Sequence, residues 1–285
     1  MNICYIDFWP GFDSNSNWFN LVFREILNDK EINFNSPPEE ADIIFASGFG
    51  NERSRVKNLK AVRIFYTGEN ERPDLNFADY SLSFDYDTYG GRNFRLSHWY
   101  LYINWWNEPN FPHATISLEQ LNYKWDPEEI YNRNGFCSIM IGNPVQNRIE
   151  VAEKLNSYKP VHGYGKVFGN PYDGDKVKLL ENYRWNICFE NSIYDGYITE
   201  KLLQAKVAGC IPLYYGPEVS SDFNSNCILN ANELNRNRLP DSILEFVSDL
   251  ENDKEKFIKK ASEPLFNQMP TMDSLYNFLS NIIRK

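Results

Sequence analysis

Between Phe189 and Gly216 the chain reads FENSIYDGYITEKLLQAKVAGCIPLYYG, which gathers acids, lysines and several tyrosines between two apolar runs. NICFE is apolar enough for a buried strand, SIYDG is a turn, and YITEKLLQAKVAG has helical spacing ending on Gly209, a suitable C-terminal cap. Glu200 and Lys201 then fall in the helix's first turn, where free backbone N–H groups and the macrodipole favour an anion. Lys201 adds a movable positive charge suited to a diphosphate, and the Glu200 carboxylate can accept two hydrogen bonds from a ribose diol. An ordinary surface helix would carry the same Glu-Lys pair in solvent, so this segment alone leaves both readings open.

Two further segments have comparable chemistry. In GNPVQNRIEVAEKLN a strand ends near Ile141, Gly142-Asn143-Pro144 turns the chain, and Arg148 lies early in the next helix. From there its planar fork can reach phosphate oxygens, although an early helical arginine is also a common surface residue. In AVRIFYTGENERPD an apolar strand delivers Glu69 to its carboxyl end, where it can act as a general base if a cleft raises its pKa. Neither a Walker loop nor a GxGxxG fingerprint occurs.

Other candidates are weaker. DYD at 85–87 and DGD at 173–175 mimic an Asp-x-Asp metal motif, a triplet that arises readily by chance in an acidic chain. His98, His113 and His162 are too few and too far apart for a zinc site. The aromatic run holding Trp99, Tyr100, Tyr102, Trp105 and Trp106 can offer flat faces to an acceptor sugar, or equally form core or lid.

These residues need a scaffold. A chain of 285 residues with 42 % hydrophobic residues can bury a full core, and its length favours two domains. The net charge of −10 argues against a general nucleic-acid binder, so an anionic ligand must be held by local cations. Five cysteines, odd in number and set mostly in apolar runs, read as reduced core residues. The N-terminus enters MNICYIDF directly and no run approaches the length of a membrane span, so the expected location is the cytoplasm.

Short strand-like runs alternate with helical patterns: ICYIDF, NWFNLVFREILND, ADIIFAS, AVRIFYTG and DYSLSF. After an irregular aromatic stretch the alternation resumes with CSIMIGNP, VQNRIEVAEKLNSY, VHGYG, a helix from about Asp175, NICFEN and IPLYYG. This is the pattern of parallel sheets covered by helices, in two α/β units. From Asp241 the sequence is helical to the end. The expected domains are 1–131, completed by a C-terminal helix within 263–285, and 132–262.

Together the three segments resemble one family. The opening run is similar to the signature of α-1,3-fucosyltransferases, F-E-N-[ST]-x(3)-G-Y-[VI]-T-E-K followed by a helix and [IV]-P-[ILV]-Y-[WY]-G. IFYTGENERPD with DYSLSFDYD and NFRLS resembles the first-domain segment of the bacterial members, and GNPVQNRIEVAEKLN their SNP-containing loop. The resemblance implies an α/β fold of two facing Rossmann-like domains, the GT-B glycosyltransferase architecture. It implies inverting transfer from GDP-fucose to an oligosaccharide or glycolipid acceptor, with no cofactor or metal required, and O3 of N-acetylglucosamine in an N-acetyllactosamine-like glycan as the expected hydroxyl. No nucleic acid and no transmembrane segment enter, and any membrane contact is peripheral, through the acceptor.

By position, Glu69 matches the catalytic base, Arg148 and Lys201 the diphosphate ligands, Glu200 the ribose ligand, and Asn191 and Tyr197 donor-site residues; Trp99, Tyr100 and Trp105 are the candidate acceptor contacts. Glu190 belongs to the same motif, in a binding or structural role. Three departures stand out: Gly142 replaces a common Ser, the loop before Arg148 is one residue shorter, and ERP replaces ESP, which makes Glu71 the alternative base. The heptad repeats and basic tail of some bacterial members are not found. The competing functions are transfer from another GDP-sugar and non-catalytic binding of a nucleotide sugar or glycan.

Overall fold

Ile43, Phe45, Ile64 and Tyr66 face one side of a parallel sheet while Ile44, Ala46 and Phe65 face the other, so each apolar strand serves two buried layers. The computed structural model describes residues 1–28, 31–109, 111 and 115–283. Two compact units divide the chain. Unit 1 takes in Met1–Ala114, Asp195–Tyr197 and Pro270–Lys285; unit 2 takes in Thr115–Tyr194 and Ile198–Met269.

In unit 1 five parallel strands lie in chain order: β1 (Ile3–Ile6), β2 (Ile43–Ala46), β3 (Val62–Tyr66), β4 (Tyr80–Ser83) and β5 (Asn93–Arg95). Asn17 caps α1 (Trp18–Leu27), its side-chain oxygen accepting from the Asn20 N–H at 3.0 Å. That helix lays Phe19, Val22 and Phe23 on the sheet. The C-terminal helix (Asp273–Ile283) adds Leu275, Leu279 and Ile282 to the same core and packs against α1.

Unit 2 holds a second parallel sheet of β6 (Gly135–Met140), β7 (Val161–Tyr164), β8 (Tyr183–Ile187), β9 (Ile211–Tyr214) and β10 (Leu229–Asn230). Its spatial order is β10-β9-β8-β6-β7. The chain steps from β6 out to β7 and then returns to the other side of β6, so the direction of winding reverses between β6 and β8. Helices α2 (Gln146–Asn156), α3 (Lys176–Leu180), α4 (Glu200–Val207), α5 (Leu239–Asn252) and α6 (Lys254–Ser262) belong to the same unit. Val151 and Leu155 from α2, Ile243 and Val247 from α5, and Phe257 from α6 close over Ile139, Trp185 and Ile211.

The α/β architecture expected from the alternation is present, with two local differences. The helical pattern after Asp241 breaks at Asp253, whose backbone leaves the helical region at φ −130° and whose side chain caps α6 by accepting from the Lys256 N–H at 3.1 Å. The stretch 115–131, grouped by pattern with the first domain, is counted with unit 2. Its helix Pro127–Tyr131 buries Ile130 in the unit 2 core and sets the Tyr131 ring 5.2 Å from Phe257.

Candidate active site

In open α/β sheets the crevice beyond the carboxyl ends of the strands, at a reversal of winding, is where ligands bind. In unit 2 that position is occupied by the chain segments leaving the ends of β6 and β8. Arg148, the third residue of α2, is only 2 % exposed. One guanidinium nitrogen donates to the Phe189 carbonyl, just past β8, and to Asn191 Oδ1 at 2.7 Å. Its Nε is buried without a hydrogen-bond partner. Burial lowers its pKa, against the opposing field of Glu190 and Glu200. Arg148 is therefore no surface arginine: β8 and α2 fix its fork at the switch point, with donor capacity left over.

Glu190 organises the start of α4. Its side chain has no solvent exposure. One carboxylate oxygen accepts the Thr199 N–H at 2.8 Å, and the other accepts the Thr199 hydroxyl at 2.7 Å and Lys201 Nζ at 3.0 Å. Lys201 also donates to Thr199 Oγ1 at 2.6 Å, so cation, hydroxyl and carboxylate form one closed network. Burial works to lower the Lys201 pKa, but the carboxylates of Glu200 and Glu190 outweigh it and hold the ammonium above its usual range. Gly216 leaves the necessary space, since a Cβ there would stand 2.9 Å from Glu190 Cγ and 2.3 Å from the Tyr214 hydroxyl.

Glu200 opens α4 between two cations, Lys201 at 3.9 Å and Lys176 at 4.0 Å. Lys176 is the first residue of α3, whose cap Asp175 accepts from the Lys178 N–H at 3.2 Å. Burial lowers the Lys176 pKa and Glu200 opposes the shift. Sequence reasoning missed this lysine because 24 residues separate it from its partner; the only signal was the Asp-Lys start of a helix ahead of a buried strand.

The loop after β3 lies in unit 1. Glu69 and Glu71 are both exposed there. The Glu69 N–H donates to Thr67 Oγ1 at 3.3 Å and the Glu71 N–H to the Glu69 carbonyl at 2.7 Å, which holds the two acids in a tight turn. The Glu71 carboxylate lies over Gly48, where a Cβ would approach it to 2.3 Å. Beneath the turn the Tyr66 phenol is buried and its pKa is pushed well up by burial, with Tyr102, Glu69 and Tyr197 adding to the shift. Tyr197 is itself buried, its ring 5.2 Å from Phe84. The preceding Gly196 takes φ +83°, and a Cβ on it would meet the Phe84 carbonyl at 2.3 Å, so the Gly-Tyr pair of the motif is fixed by unit 1 packing.

Thus Arg148, Asn191, Glu200 and Lys201 come together in unit 2, and Glu69, Glu71 and Tyr197 lie in unit 1. Trp99 corrects an expectation: at 1 % exposure it has no free face for a sugar. Tyr100 lies 4.2 Å from the Trp99 ring and 5.4 Å from Trp105, and Trp105 Nε1 donates to the Tyr100 carbonyl at 3.0 Å, so this run serves mainly as core. The Asp-x-Asp triplets are engaged in local structure. Asp85 pairs with Arg72 at 2.7 Å, Asp87 accepts the Tyr89 N–H at 2.8 Å, and Asp175 caps α3. Among the described residues no group of three or more acids, histidines or cysteines is arranged to hold a metal ion. His98 packs on Tyr102, His162 Nδ1 lies 2.7 Å from the Tyr183 hydroxyl, and His113 lies outside the described residues. All five cysteines are buried and free. No described helix is long and apolar enough to cross a membrane.

Two α/β units, each built on a parallel sheet and one with a cation cluster at its switch point, define a protein of the GT-B type. The N-terminal domain model of the α-(1,3)-fucosyltransferase FucT matches residues 3–102, and that of glycosyltransferase family 10 (fucosyltransferase), C-terminal part, matches residues 133–259. The chain belongs to this fucosyltransferase family. It is 28 % identical over 300 residues to the α-(1,3)-fucosyltransferase FucT of Helicobacter pylori, an alignment covering 96 % of this chain and 62 % of that protein. The chain thus spans less than two thirds of that relative's length. A crystal structure of an α1,3-fucosyltransferase superposes with a TM-score of 0.78 at 25 % identity, covering 100 % of this chain and 90 % of the other. A crystal structure of an α1,3-fucosyltransferase with GDP-fucose gives 0.75 at the same identity and coverage.

Proposed function

We propose that the chain is an inverting fucosyltransferase that moves L-fucose from GDP-fucose to a sugar hydroxyl, O3 of N-acetylglucosamine in an N-acetyllactosamine-like acceptor, without a metal. The observation that carries this reading is the buried constellation at the β6–β8 switch point: Arg148 and Lys201 as fixed cations beside the Glu200 carboxylate at a helix start.

In this reading Arg148 and Lys201 hold the diphosphate, Glu200 accepts from the ribose hydroxyls, and Asn191 and Tyr197 line the donor site. Glu69 takes the proton from the acceptor hydroxyl as its oxygen attacks the anomeric carbon of β-linked fucose. The bond from that carbon to the β-phosphate oxygen breaks, GDP departs, and one displacement from the opposite face yields an α-fucoside. The two cations, already buried in position, stabilise the charge that develops on the leaving diphosphate without reorganising. The Glu71 side chain is directed at Gly48 within unit 1, which supports Glu69 as the base.

A thermal-shift panel of GDP, UDP, ADP, CMP and GDP-fucose tests the donor, since a ligand at a hundred times its Kd adds about 2.7 kcal/mol. Stabilisation by the guanine nucleotides, followed by transfer to N-acetyllactosamine and an α-1,3 linkage in the NMR spectrum of the product, supports the reading. A shift with UDP alone would overturn the donor. GDP-fucose binding with no transfer to any glycan acceptor would leave a non-catalytic binder.

A further inference from the structure

We propose that Lys176 is a positioning residue of the donor site, holding the Glu200 carboxylate in place to receive the ribose diol. The inference rests on the donor reading above and adds to it a residue from a different element of unit 2.

Lys201 is shared between two carboxylates, with Nζ 3.0 Å from Glu190 and 3.9 Å from Glu200. If Lys201 were the only counter-ion of Glu200, a diphosphate could recruit its ammonium only by stranding a partly buried carboxylate. Lys176 resolves that conflict. Its Nζ lies 4.0 Å from Glu200 Oε1, its side chain is 20 % exposed, and it comes from α3, which packs against α4. The cluster then holds three cations, Arg148, Lys176 and Lys201, against two carboxylates, Glu190 and Glu200. One positive charge is left over to meet an incoming diphosphate in a partly desolvated site. Burial makes the Lys176 ammonium costly, and Glu200 offsets more of that cost than any other group.

Calorimetric titration of the full chain with GDP and with 2′,3′-dideoxy-GDP tests this. Wild type should bind GDP about tenfold more tightly than the dideoxy nucleotide, the worth of hydrogen bonds from the diol to a charged acceptor. In Lys176→Met that preference should fall to within about twofold, while binding of the dideoxy nucleotide weakens less, and Lys176→Arg should restore the preference by restoring the charge. Lys176→Met with an undiminished preference overturns the proposal and leaves the donor reading intact. Wild type that binds no GDP overturns both. A Lys176→Met chain whose circular dichroism shows misfolding shifts the test to Lys176→Gln and to Glu200→Gln. The proposal then requires each to lose the preference, and the double variant to lose no more than Glu200→Gln alone.

Discussion

Lys201 Nζ stands 3.0 Å from a carboxylate oxygen of Glu190, a side chain with no solvent exposure. The pair fastens the first turn of α4 to the end of β8, because the same carboxylate also takes both the N–H and the hydroxyl of Thr199. Glu190 is thus the foundation of the site rather than a ligand in it. Glu190→Ala should lower the unfolding free energy by about 3 kcal/mol, since it strands Lys201 and two further donors. Glu190→Gln, which keeps an acceptor for Thr199, should cost roughly half as much. Urea midpoints measure both, and an Ala variant as stable as wild type would remove the structural role.

Arg148 acts through its shape as well as its charge. One nitrogen already serves the Phe189 carbonyl and Asn191, so only a forked side chain can bind the loop and a phosphate together. Arg148→Lys should therefore raise the donor KM at least about tenfold despite the retained charge, and Arg148→Ala should lower kcat/KM by about 10²–10³. Steady-state kinetics with GDP-fucose decide it; a lysine variant with wild-type KM would mean that charge alone suffices.

Glu69 and Glu71 are separated by competing substitutions. Glu69→Gln should lower kcat by about 10² or more with GDP affinity unchanged, the usual worth of a general base. Glu71→Gln should lower it less than about threefold. The reverse order in a transfer assay would assign the base to Glu71.

Stability should respond to acid at Asp79. Burial alone would raise its pKa, but hydrogen bonds from Arg63, 2.8 Å away, hold it below its usual 3.8. A depressed carboxylate pKa stabilises the fold above the unfolded value, and the contribution is lost as the pH falls through the lower, folded value. Asp79 is partly exposed, so Asp79→Asn should cost only about 0.5–1 kcal/mol near neutral pH. That difference from wild type should close as the pH is taken well below 3.8. Urea titrations at the two extremes measure it, and a gap that widens in acid would reverse the sign.

Strands and helices around the site were legible because their apolar spacing is local. The apolar run NICFE and the Gly209 stop that ends LLQAKVAG mark β8 and α4 within a few residues. What stayed hidden depends on contacts between distant positions. Glu190 looked like the tail of a strand, and only folding brings Thr199 and Lys201 onto it. Lys176 had no partner within reach in sequence. Trp99 could not be sorted, because an aromatic run reads alike whether it covers a core or a ligand, and here the ring is buried. Asp253 broke a continuous helical pattern because a side chain that caps the next helix ends the previous one.

The C-terminal helix contributes Leu275, Leu279 and Ile282 to the core built on α1 and the first strands. During synthesis α1 emerges well before the segment 273–283 that joins its core, because the whole of unit 2 is made in between, so the amino-terminal unit cannot be completed first. Unit 2, Thr115–Tyr194 and Ile198–Met269, can close while the strands of unit 1 still wait for their final layer. A chain cut before that helix would leave the core of unit 1 short of Leu275, Leu279 and Ile282, and quality control would meet the apolar surface they cover.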